Sequence, residues 1–501
     1  MSRVKFKQIF QKFITPQSFF LTFFIALGGF LRFFNITKNG LWYDETFSAV
    51  MIRNPLTEII QKGIYDVHPP FYYFILKIWT IIFGEGELAL KGFSAFLGTL
   101  LIIAVYVLVK NLFNRRVALI SSFLITVAPF FIQYSQETRM YMLGAVLATI
   151  STFYLWKALH NQEKKLNLYY WASYAIFTLL GLYTHYFLIF TVAAQVIGTI
   201  LGIFSLPQKD RKNILKKWWQ FGLSLLSVAI LYLPWLPILF KQFNQVSNDF
   251  WIPIVSTISV LRTFFVITVG SIEIENLTLL SIPLVIIIII SIILSKIYRE
   301  KSLQKSALTF NLSYLFVPVI LGIIISIKQS IFLDRYFIFS GVAIFILFGL
   351  LISKIKNNKI LIGGMIITAI LSIILVSTSI FGYDAPKEGV RELSLKLNEK
   401  YKPDEKIIHS SSFTFIPLKY YNEDKEGVIT TDEIHHYSGD ALIEGSDVMT
   451  DIEEYIERDN HFWIIDTSDF GDPDLPQIPP QFTQKETYQF GRENLIYYER
   501  K

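Results

Sequence analysis

Residues 277–294 read LTLLSIPLVIIIIISIIL, a run without one charged side chain. At about 1.5 Å of rise per residue, a helix of this length and its flanks covers the ~30 Å hydrocarbon core of a bilayer. Comparable apolar blocks recur at roughly 18–36, 88–110, 116–134, 138–158, 168–184, 186–206, 219–238, 307–327, 332–352 and 360–381. The sequence thus predicts an α-helical polytopic membrane protein with about eleven transmembrane helices. Composition agrees: 52% of the 501 residues are hydrophobic, 16% aromatic and only 17% charged. A soluble domain carries roughly a quarter of its residues as charges.

Charge divides the chain in two. Residues 384–501 hold 13 Lys and Arg against 26 Asp and Glu, a net of −13. Residues 1–383 hold 33 against 14, a net of +19. The basic excess sits in short loops between apolar blocks, which argues against nucleic acid as a partner and for a topology signal. There is no cysteine, so disulfides, a thiolate nucleophile and thiolate metal sites are excluded. The basic N-terminus MSRVKFKQIFQKF is followed by no small-residue cleavage site, so residues 19–34 read as a retained first span.

One set of alternate loops carries the lysines and arginines: Arg3, Lys5, Lys7 and Lys12, then Lys110, Arg115 and Arg116, then Lys164 and Lys165. Lys209 to Lys217, Lys296 to Lys305 and Lys354 to Lys359 continue the series. The positive-inside rule then puts the N-terminus in the cytoplasm and the acidic C-terminal region outside a cytoplasmic membrane. Of the acidic residues before position 384, only Glu163, Asp210 and Glu300 fall on the cytoplasmic side. Asp44, Glu45, Glu58, Asp66, Glu85, Glu87, Glu137, Asp249, Glu273, Glu275 and Asp334 fall on or near the outer face, where carboxylates beside hydrocarbon need partners or a purpose.

The first outer loop, 37–87, mixes apolar and polar residues in the way of interfacial helices, in DETFSAVMIRNPLTEII and again in PPFYYFILKIWTIIF. Residues 240–276, with Trp251, Pro253 and Arg262, read as a second outer structure. Beyond 383 the pattern changes to short apolar runs between turns. KIIHSSS, GVITT, HFWIID and NLIYYER read as strands, SDVMTDIEEYIER as a helix and GDPDLPQIPP as a loop. The expected organisation is a membrane domain, 1–383, and a small extracytoplasmic α/β domain, 384–501.

Five clusters of reactive side chains share the outer face. Trp42-Tyr43-Asp44-Glu45 offers adjacent carboxylates, suited to a general base, to a metal, or to the charged first turn of a helix. Asp66-Val67-His68-Pro69-Pro70 puts an acid and an imidazole at a helix entrance stiffened by two prolines. Tyr134 to Tyr141 contains Glu137 and Arg139, which either pair with each other or present the arginine to an anion. His185 marks the outer end of the fifth span, and Lys328, Asp334, Arg335 and Tyr336 surround the turn before the tenth. Singly each has an ordinary structural reading; the shared depth unites them.

A sugar on a polyprenyl phosphate already has a good leaving group. Its transfer needs a base for the acceptor hydroxyl and cations for the phosphate, with or without a divalent metal. Carboxylates and arginines at this depth meet that need, with Asp44, Glu45, Asp66 and His68 as the candidate metal ligands. No glycine-rich phosphate loop is visible and no nucleotide cofactor is expected.

At these residues the chain resembles the multispan glycosyltransferases of the C-type (GT-C) fold, in particular family 39, with the protein O-mannosyltransferases and aminoarabinose lipid A transferases. The resemblance covers about residues 15–350 and rests on Asp44 and Glu45, on Asp66, His68, Pro69 and Pro70, on Glu137, Arg139 and Tyr141, on His185, and on Arg335 and Tyr336. It implies an inverting transfer from a polyprenyl-phosphate sugar with Asp44 as the base, Glu45 and Asp66 as helpers or metal ligands, and Arg139 and Arg335 as phosphate contacts; Lys328, at the outer turn, is a further candidate for the donor phosphate. The acceptor would be a glycolipid, a cell-surface glycan or a protein, reached among membrane lipids. Aminoarabinose-transferring relatives carry a lysine within the His-Pro-Pro segment; here His68 runs directly into Pro69, which argues against a lipid A role. The alternative is a transporter or flippase for lipid-linked saccharides. It requires polar residues at mid-membrane, and the spans read as polar-poor at their centres.

Overall fold

The computed structural model describes residues 16–247, 252–272, 274–381, 389–403, 405–425, 427–430, 441–449, 451–467 and 477–501. Arg3, Lys5, Lys7, Lys12, Asp249, Trp251, Glu273 and residues 471–476 lie outside the described residues.

Every one of the eleven apolar blocks is helical, beginning with Pro16–Phe33 and ending with Asn358–Phe381. Seven of the helices among the described residues are long and apolar enough to cross a membrane on those criteria alone. Their burial sorts them. The most apolar part of Tyr141–His160 is 78% buried inside the protein, that of Leu277–Ile297 28% and that of Asn358–Ser377 11%, so the first is central and the isoleucine-rich helices are peripheral. The third block is broken: Arg115–Val127 stops and Pro129–Tyr134 restarts the helix. Pro129 has no N–H to give the carbonyl of Ile125, so the break frees carbonyls in an apolar setting.

The centres of the spans are less bare than the sequence suggested. Gln195 donates to Ser151 and Thr152 at 3.1 and 3.0 Å and accepts from Tyr174 at 3.1 Å, while Ser151 and Thr178 meet at 2.8 Å. This network is uncharged and knits three helices, the ordinary use of polar side chains between membrane helices.

The first outer loop folds into three helices, Tyr43–Met51, Leu56–Gly63 and Phe71–Phe83. The stretch read as one amphipathic segment is split at Asn54-Pro55, since the residue before proline avoids helical backbone. In the second outer region, Leu236–Ser247 and Thr257–Val269 are helical.

The C-terminal residues form one sheet of six strands: β1 (Lys406–His409), β2 (Val428–Thr430), β3 (Val448–Met449), β4 (His461–Thr467), β5 (Phe482–Phe490) and β6 (Glu493–Arg500). The order is β3-β2-β1-β4-β6-β5, parallel through β4 and antiparallel beyond it. Ile408, Phe462, Ile464 and Ile496 fill one face. Ile407, Trp463, Ile465 and Leu495 fill the other, against the helices Val390–Lys400 and Ser412–Tyr421. Three details differ from the sequence reading. Val448-Met449 is strand, so only Ile452–Ile456 of the expected helix forms; β5 and the two helices were not anticipated. An edge strand reading FTQKETYQF, exposed along most of its length, carries no clean apolar alternation to detect.

Candidate functional site

The helix Tyr43–Met51 is the centre of the site. Eight of its nine residues are buried, and Asp44 is the exception. Glu45, at the third helical position, accepts the backbone N–H of Trp42 at 3.3 Å and so closes the helix start. Its other oxygen accepts the N–H of Thr138 at 2.7 Å, and Lys91 lies 3.8 Å away. Glu45 and Lys91 are both almost fully buried, and Lys91 also donates to the carbonyls of Asn39 and Gly40 at 2.9 and 3.2 Å. The adjacent carboxylates therefore differ: Glu45 is buried and holds three chain segments, and Asp44 is part-exposed.

Arg139 meets Asp44 from the turn between Tyr134 and Tyr141. It donates to the backbone carbonyl of Asp44 at 2.9 Å and to Ser48 Oγ at 3.3 Å, and a terminal nitrogen lies 3.4 Å from His68 Nε2. Its Nε is buried with no partner among the described residues. Burial works hardest against the Arg139 charge, but Asp44, Tyr141, Tyr73 and Asp66 together outweigh it and hold the guanidinium above its ordinary range. Glu137 is buried beside it, with its carbonyl accepting the Arg139 N–H at 2.8 Å.

Asp66 is buried and fully engaged. It accepts the Tyr73 hydroxyl at 2.8 Å and the Val67 N–H at 2.6 Å, and stands 3.5 Å from His68 Nδ1. The imidazole of His68 is thus strung between Asp66 and Arg139. Its ring lies 5.8 Å from that of His185, which also borders Tyr141 at 5.9 Å and Tyr336 at 5.4 Å. His185 Nδ1 accepts the Phe187 N–H at 3.2 Å, which leaves the proton of the neutral ring on Nε2. That nitrogen is buried without a partner among the described residues, a hydrogen-bond donor held for something else. Burial, then the charges of His68, Arg139 and Arg335, push His185 well below the usual imidazole range, so it stays neutral.

Arg335 reaches the same space from the other end of the chain, with its guanidinium 5.8 Å from the Trp42 ring and 5.9 Å from the Tyr336 ring. Asp44 lies within its electrostatic reach. The neighbouring Asp334 is turned away, accepting from Thr263 at 2.6 Å and pairing with Arg262 at 3.5 Å.

The sequence-predicted residues Asp44, Glu45, Asp66, His68, Glu137, Arg139, Tyr141, His185, Arg335 and Tyr336 thus surround one region. Lys328 is exposed just past the helix Leu303–Ser326, and its side chain makes no hydrogen bond or ion pair among the described residues. The proposed metal set also fails to form. Both oxygens of Glu45 and both of Asp66 are taken by donors, and among the described residues no three His, Asp or Glu gather as metal ligands.

Sequence reasoning missed Lys91 and Arg32. Arg32 is completely buried; it donates to Ser135 Oγ at 3.2 Å and to the carbonyls of Gly28, Thr126 and Ile125 at 3.0, 3.1 and 3.1 Å. Two of those carbonyls are the ones freed at the Pro129 break. A lone arginine inside an apolar block was the available signal.

Residues 67–238 match the family described as dolichyl-phosphate-mannose-protein mannosyltransferase. An uncharacterised protein of Aquifex aeolicus is 27% identical over 143 residues, 27% of this chain and 28% of that protein's length. Among solved structures, ArnT from Cupriavidus metallidurans in the apo state superimposes with a TM-score of 0.67 at 11% identity, over 96% of this chain and 98% of that one. The same protein bound to undecaprenyl phosphate gives 0.64 at 13% identity, over 95% and 97%. AglB from Archaeoglobus fulgidus, in complex with an inhibitory peptide and a dolichol-phosphate, gives 0.57 at 14% identity, over 91% and 70%. The chain has the fold of these solved structures, that of the C-type glycosyltransferases, and over residues 67–238 it is similar to the mannosyltransferase family.

Proposed function

We propose that this protein transfers a sugar from a polyprenyl-phosphate donor to an acceptor hydroxyl at the extracytoplasmic face, with inversion and with Asp44 as the general base. The observation that carries this reading is the contrast within one helix. Asp44 alone in the helix is part-exposed while the other eight residues are buried, and it stands against Arg139, which donates to the Asp44 backbone carbonyl.

In this mechanism the Asp44 carboxylate takes the proton of the acceptor hydroxyl. The acceptor oxygen attacks the anomeric carbon from the face opposite the phosphate, and the bond from that carbon to the phosphate oxygen breaks. The electron pair stays on the departing polyprenyl phosphate, whose charge Arg139 and Arg335 neutralise in a partly desolvated setting. The free Nε of Arg139 and the Nε2–H of His185 supply further donors to oxygens of the donor. Glu45 and Asp66 serve as scaffolding for Asp44 and His68. No step is assigned to a metal, because both oxygens of Glu45 and both of Asp66 already accept hydrogen bonds.

The undecaprenyl and dolichol phosphates bound by the superimposable ArnT and AglB support a lipid-linked donor for this chain too. The extracytoplasmic assignment rests on the alternation of lysine- and arginine-rich loops along the sequence. The test is transfer by purified protein in detergent from a panel of radiolabelled polyprenyl-phosphate sugars, with and without chelator. Transfer that inverts the anomeric centre and disappears in Asp44→Asn supports the reading; transfer that survives this substitution removes Asp44 as the base.

A further inference from the structure

The C-terminal sheet domain touches the Asp44 helix directly. Phe413, on the helix Ser412–Tyr421, packs against Tyr43 with ring centroids 4.5 Å apart. The Tyr421 hydroxyl accepts the backbone N–H of Leu41 at 2.7 Å and donates to Glu87 Oε1 at 2.7 Å. Arg391 bonds the other Glu87 oxygen at 3.0 Å and holds the carbonyls of Thr37 and Lys38, each at 2.9 Å. At the far end of the same helix, Arg53 donates to the carbonyls of Lys419 and Tyr420 at 3.1 and 3.3 Å.

The segment 37–41 therefore runs between two grips. Lys91, from the membrane domain, holds the carbonyls of Asn39 and Gly40. Arg391 and Tyr421, from the C-terminal domain, hold Thr37, Lys38 and Leu41. At Gly40 the approach is close enough that an added Cβ would lie 3.0 Å from the Tyr421 hydroxyl and 3.2 Å from Arg391 Cβ. Three residues beyond Leu41 stands Asp44.

From this geometry we infer that the C-terminal domain is a positioning element of the transfer site, fixing the start of the Asp44 helix through Arg391 and Tyr421 clamped on Glu87. The inference rests on Asp44 being the base, as proposed above. Arg391 and Tyr421 touch no reacting atom; they act through the backbone that carries Asp44. Catalysis is sensitive to such support, since a misplacement of about 1 Å can cost on the order of a hundredfold in rate.

Arg391→Ala, Glu87→Ala and the double variant, in the full-length protein, test the clamp. Each single change is expected to lower kcat about tenfold or more while donor KM stays within about twofold, and the double variant should be no worse than the poorer single. Arg391→Lys, which keeps the charge but not the fork, should restore only part of kcat. Amide hydrogen exchange across residues 37–47 should rise in Arg391→Ala while the C-terminal sheet keeps its protection. Unchanged kcat, a loss confined to donor KM, additive effects in the double variant, or unchanged exchange would each overturn the clamp. Increased exchange in a protein whose wild type transfers no sugar would instead leave the clamp standing and count against the proposed reaction.

Discussion

Arg139 donates to the backbone carbonyl of Asp44 at 2.9 Å, so the cation and the carboxylate of the site are fixed to each other through the main chain. Asp44 is part-exposed, while the guanidinium keeps its Nε without a partner among the described residues. One contact thus sets the spacing between Asp44 and Arg139, the proposed base and phosphate contact, before any substrate arrives.

If Asp44 is the base, Asp44→Asn keeps size and polarity and removes only the proton acceptor. Transfer should fall by ~10²–10⁴-fold with donor binding retained, measured by single-turnover assay and by donor affinity on the same preparation. Comparable rates in the two proteins would dismiss this role.

Arg139→Lys preserves charge but gives up the planar fork that spans the Asp44 carbonyl, Ser48 and the donor. Donor KM should rise about tenfold, with kcat/KM falling at least as far, because a lysine cannot reproduce several directed bonds at once. Steady-state kinetics over a range of donor concentration decides it.

Glu45 looks equivalent to Asp44 in sequence but should fail differently. Glu45→Ala strands Lys91 as a buried cation and frees the amides of Thr138 and Trp42. The cost should be on the order of 3–5 kcal/mol, seen as a lower melting temperature and poor recovery in detergent. Adding Lys91→Met should recover part of it, whereas a normal melt for the single variant would refute the scaffolding role.

Arg32 satisfies the carbonyls opened by Pro129 and reaches Ser135, the start of the turn that carries Arg139. The space is tight: a Cβ at Gly98 would sit 2.0 Å from Ser135 Oγ and 2.9 Å from Arg32 Nε. Arg32→Met should destabilise the protein by roughly 2–4 kcal/mol, with Arg32→Lys intermediate, because buried carbonyls lose their donors. A higher melting temperature for Arg32→Met would mean that burying the charge costs more than its bonds return.

In the C-terminal sheet, burial and then the neighbouring Asp466 push the Glu493 carboxyl up to about 8, against an ordinary value of 4.5. The folded protein therefore keeps a proton that the unfolded chain releases between pH 4.5 and 8, so this contribution to stability is full below pH 4.5 and lost as pH rises through 8. Glu493→Gln should abolish that slope and melt higher than wild type near pH 8.5, checked by thermal melts across the range. Parallel curves for the two proteins would exclude the raised carboxyl.

The sequence by itself determined the membrane class, because hydrocarbon tolerates only long apolar helices, and eleven apolar blocks announce themselves residue by residue. It also put several of the candidate residues on one face. Basic loops alternate with acidic ones, and that alternation puts Asp44, Asp66, Arg139, His185 and Arg335 on one face without any knowledge of packing. What it could not separate was Asp44 from Glu45, since neighbours on a helix point about 100° apart and only the surroundings decide which is sealed. Tertiary structure decided that, by bringing Lys91 and Thr138 to Glu45. It likewise revealed Arg32 at the Pro129 break, and joined Arg391 and Tyr421 to a segment more than three hundred residues earlier. Such contacts are set by packing across long separations in the chain, where neither local pattern nor charge alternation carries information.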